Sequence, residues 1–214
     1  MKKLGYVLFS MLAIALVVSG TAMAQNNTNT GGDNSTFFVT YYANNVAAAP
    51  DETVRIINDG DQGAPQPAGD LFADLFVFDD SEELVTCCGC VVTPDGLLSE
   101  SVKNQLTKYT IRNIVPPRGV IKLISSSNCL GANCPGGPAF APTTPIPGLR
   151  AWATHVQSNA NKYPYGAAPY SQTETKFADA NLGTAEKGLI EELCYFDYLL
   201  SGSPCTCTPE DYDF

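Results

Sequence analysis

Short runs of β-branched and aromatic residues bounded by turn residues recur along this chain, one of them with a period of two, which predicts strands in preference to helices. Thr36 to Ala43 (TFFVTYYA) is aromatic and β-branched and reads as a strand, as does Thr53 to Asn58 (TVRIIN). Leu71 to Asp79 (LFADLFVFD) is apolar on both faces apart from Asp74, the pattern of a central strand covered on both sides. Leu84 to Val92 is also strand-like and ends at the turn Thr93-Pro94-Asp95-Gly96. Gln105 to Asn113 sets Leu106, Lys108, Thr110 and Arg112 against Thr107, Tyr109 and Ile111, which predicts a half-wet strand. Gly119 to Ser126, Leu149 to Gln157 and Glu174 to Ala178 complete the set, with a Pro/Gly loop over Cys134 to Gly148. Only Ala185 to Leu200 has a helical period. Thr184 is its expected cap, Leu189, Ile190, Leu193, Phe196 and Leu200 its stripe, and Gly202 and Pro204 its stop. Short strands separated by turns predict a mainly β fold: an antiparallel β-sandwich, immunoglobulin-like in outline, with a C-terminal helix.

The amino end departs from this pattern. Lys2 and Lys3 precede an apolar run from Leu4 to Val18, and Ala22-Met23-Ala24 follows. That is the form of a signal peptide over residues 1–24, cleaved before Gln25. The run is shorter than the roughly 20 residues that span a bilayer, and no later segment is long and apolar enough to do so. Residues 25–35 are polar and read as a disordered leader, leaving 36–214 as one domain. The expected location is therefore secreted, either extracellular or periplasmic.

Charge and cysteines sharpen the class. The formal charge is −10, and losing Lys2 and Lys3 with the signal takes it to −12. Such a chain lacks the clustered bases that phosphate contacts need, so no nucleic-acid partner is expected. The eight cysteines are Cys87, Cys88, Cys90, Cys129, Cys134, Cys194, Cys205 and Cys207. An even number in an exported chain predicts disulfides. Cys129 and Cys134 flank a short Gly/Asn stretch and close a local loop. Cys87, Cys88 and Cys90 then pair with Cys194, Cys205 and Cys207, in an order that spacing leaves open.

Three patterns bear on chemistry. Cys87-Cys88-Gly89-Cys90 contains the C-x-x-C spacing, but its flanks Val85-Thr86 and Val91-Val92 form strands, whereas a redox pair opens a helix. His155 is the only histidine and no G-x-S-x-G elbow accompanies it, so a surface or packing role is expected. Ten acids fall between Asp51 and Glu83. Asp59, Asp61, Asp79 and Asp80 are candidate Ca²⁺ ligands, but the D-x-D-x-D frame and distal Glu of a calcium loop are missing, which favours solvated turns and no cofactor. Tyr163, Tyr165 and Tyr170 lie in a Pro/Gly loop and either contact a partner or pin that loop.

Several stretches together resemble a group of uncharacterised exported bacterial proteins: VRIIN (54–58), FVFD (76–79), CCGCVVTPDGL (87–97), GVIK (119–122), LRAW (149–152), KFAD (176–179) and a C-terminal C-x-C. The resemblance implies a shared cysteine scaffold and no activity. The expected function is a non-enzymatic extracellular or cell-surface protein of structural or adhesion type, with itself or surface and matrix components as partners. One alternative is a filament subunit that donates strand 36–43 to a neighbour. The other is a secreted hydrolase with a carboxylate-based site.

Overall fold

A computed structural model of the chain describes residues 34–44, 46, 49–62, 68–108, 110, 114–159, 169–201 and 205–207. The chain clusters into the units Met1–Gly31 and Gly32–Phe214, and every described residue belongs to the second. The expected signal and most of the expected leader lie outside the described residues, as do Tyr163 and Tyr165.

The strands are β1 (Phe37–Ala43), β2 (Thr53–Asn58), β3 (Leu71–Asp79), β4 (Leu84–Val92), β5 (Leu97–Ser101), β6 (Arg118–Ser126), β7 (Leu149–Ser158), β8 (Tyr170–Lys176) and β9 (Ala178–Asp179). They form two antiparallel sheets. One has the order β4-β3-β6-β1-β9 and the other β5-β2-β7-β8. Alternate side chains of both sheets meet in one core. Phe38, Leu75, Val77, Ile121 and Leu123 come from the first, and Val54, Ile56, Leu98, Ala151 and Ala153 from the second. Phe177 is buried in that core where the chain leaves β8 in one sheet and enters β9 in the other, closing one side of the sandwich.

β3 is covered on both faces, as its composition predicts. Its residues Leu71, Ala73, Leu75 and Val77 point into the sandwich. Phe76 and Phe78 point outward, beneath helix α1 (Thr184–Ser201), in a second cluster with Leu84, Ile124, Leu130 and Ile190.

Two expectations fail. A strand over 105–113 is not formed in the described part of that stretch. Gln105 and Leu106 belong to a single π-helical turn, Val102–Leu106, and the preceding strand is Leu97–Ser101. Local capping decides this. The Asp51 carboxylate accepts from the N–H groups of Lys103 and Asn104, Ser101 Oγ accepts from Asn104 N at 2.9 Å, and Gln105 Oε1 accepts from Ser101 N at 2.5 Å. Val102 and Leu106 then face the core from one side of the turn.

The helix lies where its period predicts but is rotated from its predicted face. Thr184 is its first residue, and the Gly183 carbonyl accepts the first bond, from Lys187 N at 2.9 Å. Of the expected stripe, Ile190 is buried and Leu193 half-buried, while Leu189, Phe196 and Leu200 are exposed. The buried face is instead Ile190, Cys194 and Asp197.

Candidate functional site

Successive strand residues point to opposite faces, and that turns the adjacent cysteines of β4 into two separate anchors. Cys87 faces outward and bonds Cys194 of α1. Cys88 and Cys90 face the sandwich interior and bond Cys205 and Cys207. Cys129 bonds Cys134, closing the expected local loop. That loop packs directly on Gly89, where a Cβ would run into Cys129 Sγ and the Leu130 carbonyl. All eight cysteines are therefore paired, and the C-x-x-C of β4 belongs to two disulfides.

Carboxylates support this weld from inside. Asp74 of β3 is fully buried, and its Oδ1 accepts from Leu130 N at 2.9 Å, fastening the small disulfide loop to the sheet. Burial pushes its pKa well above the ordinary carboxylate range. Asp197, one turn from Cys194, is buried on the β4 side of the helix. Burial raises its pKa to about 7, against the smaller opposing pull of the Cys87 backbone N–H. Glu191 pairs with Lys187 at 2.6 Å and accepts from both N and Oγ1 of Thr143. Burial opposes its ionisation, but those bonds prevail and hold its pKa below the ordinary value.

The four candidate calcium ligands are not brought together. Asp59 pairs with Arg150 at 2.7 Å and accepts from Asp61 N at 3.1 Å, in the turn after β2. Asp79 Oδ1 accepts from Ser81 N and Glu83 N and shapes the β3–β4 hairpin, while Asp80 pairs with Arg118 at 2.8 Å. Among the described residues no group of three or more His, Cys, Asp or Glu is disposed to hold a metal ion.

His155 lies inside the sandwich rim, 1% exposed. Its ring stacks on Tyr41 of the opposite sheet, with centroids 4.0 Å apart and planes 8° apart. Its Nε2 lies 2.8 Å from Thr175 Oγ1. Its Nδ1 lies 3.9 Å from Oε2 of Glu52. Glu52 is buried too and bridges the sheets, accepting from Val156 N at 2.8 Å and from Ala43 N at 3.0 Å. Burial lowers the pKa of His155 and raises that of Glu52, the latter against its two backbone bonds. Sequence reasoning reached His155 but not its partners. Glu52, Thr175 and Tyr41 come from three separate segments, and no spacing announces them.

The outer side of α1 is an apolar surface. Leu189, Tyr195, Phe196, Leu199 and Leu200 are all exposed, Leu200 by 72% and Leu199 by 57%. Among the described residues no helix is long and apolar enough to cross a membrane. No family model, curated protein or solved structure matches the chain.

Proposed function

We propose that this chain works outside the cytoplasm as a structural or adhesion-type β-sandwich, making contact through the apolar ridge of α1. One observation carries the reading. An amphipathic helix ordinarily docks by burying its apolar face, whereas this helix is held by the Cys87–Cys194 bond, with Asp197 on its buried side and Phe196, Leu199 and Leu200 outside. Exposed apolar residues in one row on a covalently fixed element mark an interaction surface. Four disulfides favour an oxidising compartment and agree with the amino-terminal signal pattern.

The test uses oxidised full-length protein added to cells of the source organism, with the bound fraction measured after sedimentation. Wild type is expected to sediment with the cells. A Phe196→Ser/Leu200→Ser variant that melts at the same temperature is expected to bind at least tenfold less, since each lost apolar contact is worth about 1.5–3 kcal/mol. Equal binding of the two proteins, or binding by neither, sinks the reading.

A further inference from the structure

Away from the weld, one cluster brings together the side-chain types that activate a hydroxyl. Thr175 is exposed on the edge strand β8, and its Oγ1 meets Nε2 of the buried His155 at 2.8 Å. On the far side of the ring, Nδ1 has no hydrogen-bond partner among the described residues and faces Oε2 of Glu52 at 3.9 Å. The Glu52 carboxylate cannot swing away, because the backbone N–H groups of Val156 and Ala43 hold both its oxygens. Tyr41 lies flat on the imidazole and fixes its plane.

A carboxylate facing Nδ1 favours the tautomer with the proton on Nδ1, and Nε2 is then the lone pair that receives the Thr175 hydroxyl. Burial lowers the pKa of His155, so the ring is neutral at pH 7, the form that takes a proton. Glu52 from the segment before β2 is the charged side chain facing the ring, and Tyr41 from β1 the other titratable one.

We propose that Thr175 is an acyl-acceptor site, with His155 as its base and Glu52 as the residue that positions the base, and that it takes an acyl group from an activated ester presented at the β8 edge. Thr175 Oγ1 forms a bond to the carbonyl carbon as its proton passes to His155 Nε2. The carbon–oxygen bond to the leaving alcohol then breaks, and the imidazolium returns the proton to that oxygen. The products are an ester on Thr175 and the free alcohol, with His155 neutral again. The inference rests on none of the ridge residues and adds a covalent modification to the contact function.

The probe is p-nitrophenyl acetate on the oxidised full-length chain, with nitrophenolate release followed by absorbance and the acetylated residue identified by peptide mass spectrometry. Acetyl is expected on Thr175, at a rate that rises with pH as His155 loses its proton and then levels. Thr175→Val is nearly isosteric, so it should still fold, melt below the parent for want of the bond to His155 Nε2, and carry no acetyl at that position. Thr175→Ser should accept the acetyl group. His155→Gln should slow acetylation of Thr175 about a hundredfold or more. A merely structural Thr175–His155 bond leaves Thr175 of the parent without acetyl, or acetylated at a rate independent of His155 and of its titration. Acetyl confined to lysines and tyrosines, or an unchanged Thr175 rate in His155→Gln, overturns the proposal. Where His155→Gln does not fold, the Val/Ser pair and the pH profile decide. The cell-binding measurement is separate, so either reading can fail without the other.

Discussion

Gly119 shows how one missing Cβ holds three strands in register. It pairs with Tyr42 on one side and Asp79 on the other. A Cβ there would overlap the Phe78 carbonyl oxygen and crowd the Tyr42 hydroxyl, which donates to that same carbonyl at 3.1 Å. Gly119→Ala should therefore lower stability by about 3 kcal/mol through overpacking, and Tyr42→Phe by about 1 kcal/mol through a lost buried hydrogen bond. Urea unfolding reads both, and the double variant should cost less than their sum because the two changes share one carbonyl. Asp197 acts through pH. Its pKa is raised in the folded chain to about 7, while the unfolded value is about 3.9. Between those values the folded state holds the extra proton. Its stabilising contribution is complete below about pH 4 and is lost as pH rises through about 7. Asp197→Asn is nearly isosteric and removes the titration. The variant should match wild type in melting temperature near pH 4 and exceed it at pH 8. A wild-type advantage at pH 8 would show that burial does not raise this pKa.

Disulfides, more than periodicity, decide how the elements sit. The bounds of β2, β3 and β4 are legible from β-forming composition and turn residues alone, because local pattern and burial agree there. The helix was legible in extent and illegible in orientation. The expected buried stripe set Cys194 beside Leu189, Phe196 and Leu200; Cys194 is buried and bonded to Cys87 as expected, but at 3.6 residues per turn it lies well round the helix from those three, which are exposed. The stretch after β5 departs from its pattern for a related reason: alternation over 105–113 suits a strand, and a distant acid, Asp51, caps Val102–Leu106 as a turn. The cluster at His155 was least legible, since Glu52 reaches it from 103 positions earlier in the chain, with no motif to link them. A covalent rotation has a testable cost. Because Cys88–Cys205 already ties the same segments together, the further ring closed by Cys87–Cys194 holds only about 14 residues, for which chain entropy predicts about 3 kcal/mol of stabilisation. Cys87→Ala/Cys194→Ala should lose an amount of that order in urea unfolding. Free of the bond, α1 should turn its apolar ridge inward, so binding of a hydrophobic dye at the ridge should fall relative to wild type. A rise in dye binding in the still-folded variant would refute rotation by the disulfide.

At the scale of the molecule, the segment that the filament alternative would donate to a neighbour completes its own sheet. β1 pairs with β6 along its full length and with β9 at Phe38 and Val39, and it buries Phe37, Phe38 and Tyr42. It also receives the cross-sheet clamp, since Ala43 N donates to Glu52 and Tyr41 covers His155. Strand donation in a filament would require leaving this seat and refilling the same seat in the next copy, because an empty one exposes a core face and an unpaired strand edge. The seat is therefore testable with a chain that lacks residues 1–43. That truncated protein should fail to melt cooperatively by itself, and a synthetic Thr36–Ala43 peptide added in excess should restore a cooperative transition whose midpoint rises with peptide concentration. Recovery would establish a seat that accepts the strand in trans, the prerequisite for donation. A truncated chain that folds alone as a monomer would rule donation out, because nothing would be left for a neighbour to complete. The pairing within one chain favours the contact reading over the filament. A ridge fixed on α1 can engage a partner while β1 remains in place, whereas a donor must first undo the register on which Gly119, Tyr42 and Glu52 all depend.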